Sequence, residues 1–486
     1  FTDMCAAPRE GINPASNLPY PDIQGRRLDE NNWLRSMSND LYLWYDEIED
    51  LDPGDFETPQ YFELQRTLAT TPSGSLKDKF HFSFDTEVWR LFSQSGSVSN
   101  ASYGAVFAFL NGGFPPRHIV VSYTQPDSPA AQAGLSRGAR LMEIDGVDVV
   151  FGNDINTLNA GLFPAEIGEA HDFVVQDLDS ETTRNITMTA AEITSVPVQH
   201  VQTIDTETGQ VGYLFFNAHV RTAEQQLMEA IESLRDDEVT DLVIDFRYNG
   251  GGFLAIASQL AYMVAGEQTD ERTFEINQWN DKHPNVDPVT NQVLAPTQFY
   301  ATTVGLSVSS GAPLPTLDLS RVFVLTGPGT CSASEAFMNS LRGIDVEVIQ
   351  VGSTTCGKPY GFYAMENCST SYFTVQFRGV NEKNFGDYTD GFSPSNTNPV
   401  EGTPVPGCAV PDDFTHAFGD PNEARLAAAL TYRETGACPS STSSAARQLR
   451  VGVDPAAVDG VIIAHPMTRI RLPLPDELTG NLPDLQ

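Results

Sequence analysis

From about residue 200 the chain alternates short β-branched apolar runs with amphipathic stretches of helical period, and nothing else in its 486 residues limits the fold as strongly. "DLVIDFR", "RVFVLTGPG" and "VEVIQVGS" read as strands, because a nearly continuous apolar run fits a strand covered on both faces. "TAEQQLMEAIESLRDD", with Leu227, Ile231 and Leu234 on one face, reads as a helix, as do "FLAIASQLAYMVAG" and "SASEAFMNSLRG". Successive βα units of this kind predict an α/β core with a parallel sheet over residues 196–440.

The remaining chain divides by composition. Residues 1–85 contain two amphipathic stretches, around Trp33 to Trp44 and in "TPQYFELQRTLAT", and read as a helical cap. Residues 86–195 change to short strands separated by turn residues. Residues 441–486 open on the Ser-rich run "CPSSTSSAARQ" and read as a linker and irregular tail.

Charge and cysteine usage narrow the function classes. With 64 Asp and Glu against 28 Lys and Arg, the net charge of -36 repels phosphate backbones and anionic lipid heads, which argues against nucleic acid as a partner. No CxxC pair suggests a metal site, and no motif asks for a cofactor. Six cysteines lean towards disulfides and an exported protein, periplasmic or at the cell surface, with Cys356/Cys368 and Cys408/Cys438 close enough in sequence to bridge. Sequence leaves the pairing open. No basic-then-apolar leader stands in "FTDMCAAPREGINP", so an exported protein would have shed its signal before this chain begins. Cys5 is a candidate lipid attachment point, the only membrane link expected, and equally a disulfide partner.

Three segments carry chemistry. "GTCSASEAF" sets Ser332 and Ser334 where a core strand turns into a helix, a place that exposes a nucleophile or caps a helix. "DFRYNGGG" ends another strand in three glycines, whose bare backbone lets N–H groups approach a reacting carbonyl. "TTCGKPYG" places Lys358 after the strand that follows Ser332's helix, so the lysine returns beside the serine.

Together these segments, in this order, resemble the S41 serine peptidases, the carboxyl-terminal processing proteases. That resemblance implies a crotonase/ClpP-like α/β core with a PDZ-like β-rich domain. It implies Ser332 as nucleophile, Lys358 as general base, Glu335 as an assisting group, and an oxyanion hole from the N–H groups of Gly251 or Gly252 and of Ala333. Ser334 then falls to helix capping. Where many members carry a glutamine four residues after the lysine, this chain has Phe362, which leaves Glu335 as the third group. "DSPAAQAGLSRGARLMEIDGVDV" resembles the second half of a PDZ domain, with a helix from Ser128 to Ala133 ending at Gly134 and a hairpin turn at Asp145-Gly146. Peptide would then join the strand in "SYGAVFAFL", at Gly104, Ala105 and Val106. The alternative is a strand that only completes a β-domain.

A lysine serves as base only when neutral. Moving its pKa from about 10.4 to about 7 takes roughly 4 to 5 kcal/mol of preference for the uncharged form. The aromatic run after Lys358 provides burial for that purpose, whereas a carboxylate against the amine would oppose it. Glu335 is therefore expected to bond the neighbourhood of Ser332 or a backbone group. The predicted activity is hydrolysis of peptide bonds in protein or peptide substrates. Its rivals are a non-catalytic binding homologue, an α/β hydrolase-type esterase and a cysteine hydrolase using Cys331. The eight histidines fall outside the three motifs, with His219 and His416 read as structural or surface residues.

Overall fold

The computed structural model describes residues 1–14, 16–95, 101–110, 115–397, 401–439 and 461–462. The two N-terminal amphipathic stretches form α1 (Arg27–Leu41) and α2 (Thr58–Leu64). The second helix is shorter than its sequence pattern, closing at Leu64. Leu34, Met37 and Leu41 of α1 pack with Tyr61 and Phe62 onto Trp279, Tyr363 and Tyr372 of the core. The strand Phe82–Asp85 pairs antiparallel with Thr370–Phe373, so this region is built into the core rather than resting on it.

The β-rich domain forms one sheet from β1 (Ala105–Phe109), β2 (Ile119–Thr124), β3 (Arg140–Ile144), β4 (Ala170–Gln176) and β5 (Thr183–Thr189). Its path runs β5-β4-β3-β2-β1. The helix read from sequence after Ser128 is Pro129–Gln132, with the Ser128 hydroxyl accepting from the Ala131 N–H at 3.2 Å. The predicted hairpin after Ile144 also forms, pairing with Val147–Asp148. A separate apolar cluster, including Phe107, Val121, Leu141 and Phe173, fills this domain.

The alternation after residue 200 produces a six-stranded sheet of β6 (Val198–Thr206), β7 (Gly209–Phe216), β8 (Asp241–Asp245), β9 (Arg321–Thr326), β10 (Glu347–Gly352) and β11 (Gly407–Ala409), neighbouring one another in chain order. The β6-β7 pair is antiparallel, and every later pair is parallel. Helices α3 (Ala223–Asp236), α4 (Leu254–Ala265) and α5 (Ala333–Gly343) bury apolar residues in one cluster with alternate strand residues such as Leu214 and Val324. The complementary strand residues, including Val243 and Leu325, meet α6 (Ala424–Thr435). Two-sided covering explains why β8 and β9 read as unbroken apolar runs.

Disulfides join Cys5 to Cys368, Cys331 to Cys356 and Cys408 to Cys438. The Cys408–Cys438 expectation stands, but Cys356 pairs with Cys331 rather than Cys368. A lipid at Cys5 is also corrected, because a thioether needs the sulfur that Cys368 holds. No helix among the described residues is long and apolar enough to cross a membrane. The Ser-rich linker and the tail lie outside the described residues apart from β12 (Val461–Ile462).

Candidate active site

Strand β9 ends at Thr326, and a short turn carries the chain to Ser332, which stands as the N-cap of α5 with φ 59° and ψ -113°. Positive φ costs a non-glycine residue about 1 kcal/mol or more, so the surrounding contacts must hold this serine in place. Two loops do so. The Cys356 N–H donates to Thr330 O at 3.0 Å, and the Cys331–Cys356 bridge follows directly. On the other side the Cys331 N–H donates to Asn249 O, also at 3.0 Å.

Glu335 binds the nucleophile and lysine loops into one unit. One carboxylate oxygen accepts the Ser332 N–H at 2.9 Å and the Lys358 N–H at 2.8 Å. The other accepts the Gly357 N–H at 2.8 Å and the Thr355 hydroxyl at 2.5 Å. Complete burial raises the Glu335 pKa, against the pull of the Thr355, Lys358, Gly357 and Ser332 donors. The carboxylate therefore bonds backbone groups around both residues, as the sequence argument expected.

The lysine lies in an aromatic enclosure. Lys358 is 1% exposed, with its Nζ 4.5 Å from the Phe362 ring centre and 5.2 Å from that of Phe80. Phe80 comes from the N-terminal region, where Lys79 Nζ also donates to Cys356 O at 3.0 Å. Ser332 is fully buried, and its hydroxyl makes no hydrogen bond to any described residue. A cleft of about 750 Å³ opens beyond the lysine loop, bordered by Lys79, Thr354, Thr355, Cys356 and Asp390, but neither Ser332 nor Lys358 lines it.

The glycine loop meets Ser332 from the third side. Gly251 has φ 103°, and a Cβ there would lie 2.7 Å from the Ser332 Cβ; one at Gly252, φ 131°, would lie 2.2 Å from His219 O. Only glycine allows this approach. The Gly251 N–H is already donated to Asn249 Oδ1 at 3.0 Å, so this candidate donor is occupied. The N–H groups of Gly252 and Ala333 have no hydrogen-bond acceptor among the described residues.

Ser334 departs from its expected role. Its hydroxyl donates to Asn249 O at 3.2 Å, and the capping position belongs to Ser332, with Glu335 accepting from its N–H. Asn249 itself escaped the sequence reading, although it stands inside "DFRYNGGG". Its amide also donates to Phe216 O at 3.0 Å, and its Oδ1 faces His219 Nδ1 at 3.0 Å. Burial lowers the His219 pKa to about 3, so this imidazole is neutral. His219 is thus structural in contacts, yet it adjoins the glycine loop. Cys331, Cys356 and Glu335 form the one cluster of metal-ligating residue types among the described residues, and the disulfide consumes both sulfurs. Gly104, Ala105 and Val106 lie apart from this site, at the start of β1. There the Gly104 N–H donates to the Ser102 hydroxyl at 2.9 Å.

A serine at a helix N-cap, a buried lysine and a glycine loop thus meet on an α/β core. Residues 210–379 match peptidase family S41. The chain is 25% identical over 240 residues to a carboxyl-terminal-processing protease of Picosynechococcus, covering 48% of this chain and 49% of that protein. It is 24% identical over 249 residues to the chloroplastic carboxyl-terminal-processing peptidase 2 of Arabidopsis thaliana, 50% of this chain and 42% of that one. The chain thus spans about half or less of the curated relatives it matches. A crystal structure from Bacteroides fragilis assigned to the S41 proteases shares the fold, with a TM-score of 0.60, 23% identity, and coverage of 86% of this chain and 98% of that one.

Proposed function

We propose that this chain is an exported serine endopeptidase whose Ser332 and Lys358 act as a catalytic dyad. One observation carries the reading: a single carboxylate oxygen of Glu335 accepts from the backbone N–H of both residues. A serine and a lysine that are 26 positions apart in sequence therefore spring from adjoining points of one buried site. Three disulfides agree with an oxidising compartment.

In this mechanism the neutral Lys358 amine removes the Ser332 proton as the oxygen attacks a peptide carbonyl. The negative charge that develops on the carbonyl oxygen is met by the N–H groups of Gly252 and Ala333, with Gly251 joining if its bond to Asn249 opens. Lys358 returns the proton to the leaving amine, then activates water to release the acyl group. Glu335 acts as a positioning residue, holding both loops without touching the substrate. Ser332 and Lys358 are buried here, so turnover includes a step that uncovers them. The β-rich domain serves as a PDZ-like module that recruits extended chain along β1, with Gly104, Ala105 and Val106 at the receiving end.

The unbonded Ser332 hydroxyl and the aromatic Phe362 favour a second reading, a binding homologue without turnover. Mass spectrometry of casein digests separates the two. Wild type cleaves, and Ser332→Ala and Lys358→Ala each lose activity by about 10³-fold or more. An unchanged digest pattern in Ser332→Ala, or an absence of cleavage in wild type, removes the dyad.

A further inference from the structure

The edge of the β-rich sheet already has an occupant from the same chain. Strand β12 pairs antiparallel with β1, Val461 opposite Phe109 and Ile462 opposite Ala108. The other edge of β1 is taken by β2. The Leu110 N–H turns towards that side, donating to His118 O at 2.9 Å. By the alternation of a strand, the Phe109 N–H turns outward, towards Val461. β1 is the strand assigned above to an incoming extended substrate, and an extended substrate and β12 would use the same row of backbone groups.

We propose that the strand Val461–Ile462 is a tethered competitor for the substrate-recruiting edge of β1. The inference rests on the recruiting role given to this domain under the proposed function. Pro439, the last described residue of the core, and Val461 are separated by 22 positions. Because the strand belongs to the same chain as β1, its effective concentration there is on the order of 1 mM. A segment with a free-peptide Kd on the order of 0.1 mM would then raise the apparent KM of a competing chain about tenfold and leave kcat untouched. Substrates too short to reach β1 from the dyad escape the competition.

The test uses the full chain carrying Val461→Pro and Ile462→Pro, since proline removes the N–H that a ladder needs. Amide hydrogen exchange at Phe107 to Phe109 reads the seat directly. Protection there should fall in the variant, and equal protection in the two proteins overturns the inference. Kinetics on an unfolded protein substrate read the competition. KM should fall about tenfold at constant kcat, while KM for a fluorogenic tetrapeptide stays the same. Lost protection with unchanged KM on the long substrate also overturns the inference, and leaves the dyad standing. If wild type cleaves neither substrate, the proposed function falls, and displacement of a labelled extended peptide from β1 by the wild-type tail, absent in the variant, still decides whether the tail competes.

Discussion

Arg137 Nη2 meets Asp412 Oδ1 at 2.7 Å, a buried ion pair between the β-rich sheet and the α/β core. The same oxygen accepts from Arg247 Nη1 at 2.6 Å, and Arg247 also pairs with Asp245 and Glu423. Arg247 stands two residues before Asn249, so the domain junction and the glycine loop share one buried charge network. Burial penalises the Asp412 carboxylate, but Arg137, Arg247 and Arg425 more than offset this and hold its pKa well below the usual range. Removing Arg137 leaves Asp412 under-compensated in the interior. Arg137→Ala should destabilise the protein by about 3 kcal/mol, and Arg137→Lys should not restore it, because a single ammonium cannot replace the fork that also reaches Tyr248 Oη and the Ser122 and Asp413 carbonyls. Urea unfolding measures both.

Glu335→Gln keeps the shape of the side chain but turns an amide donor towards groups that are themselves donors. The fold should survive with a loss of about 2 kcal/mol, while kcat falls about 100-fold at nearly constant KM. A proportionate rise in KM with unchanged kcat would place Glu335 in substrate binding instead.

The Cys331–Cys356 bridge closes a loop of 25 positions, and Cys408–Cys438 one of 30. By loop entropy, replacing either pair with alanines costs about 3.5 kcal/mol. The first pair joins the turn before Ser332 to the turn before Lys358; the second ties β11 to the residues that follow α6 and holds neither turn. Thermal unfolding should therefore report similar losses for the two double variants, whereas kcat at a temperature where both are folded should drop only for Cys331→Ala/Cys356→Ala.

His171 on β4 faces Asp145 Oδ2 at 2.5 Å and Glu169 Oε1 at 3.0 Å. Burial opposes its charge, yet the hydrogen bonds to Asp145 and Glu169 win and raise its pKa above 6.5. Protons are thus bound more tightly by the folded state. The stabilisation is complete below about pH 6.5 and disappears as pH rises through the raised folded value. Melting temperatures across pH 5.5 to 8.5 should decline, and His171→Gln should flatten that decline.

Local pattern made much of this arrangement legible. β8 and β9 are apolar between their end residues because helices cover both sides, and Ser332, Lys358 and the glycines fall after strand ends, where the βα rhythm predicts loops. What escaped is set by distant contacts. Nothing near Lys358 in sequence announces Phe80, which reaches it from the N-terminal region. Cys356 is nearer in sequence to Cys368 than to Cys331, but the Thr330–Cys356 backbone bond brings Cys331 alongside. Asn249 reads as a turn residue, and only the assembled loops show that it holds Gly251, Cys331 and Ser334 together. The role of Cys5 stayed open in the sequence for the same reason, since its disulfide partner lies 363 positions away.

That longest bridge has a practical result for anyone handling the protein. A nick anywhere between Cys5 and Cys368 severs the backbone without separating the pieces, so a clipped preparation runs as one band until a thiol is added. Intactness must therefore be judged on reduced gels, where a broken chain shows as two.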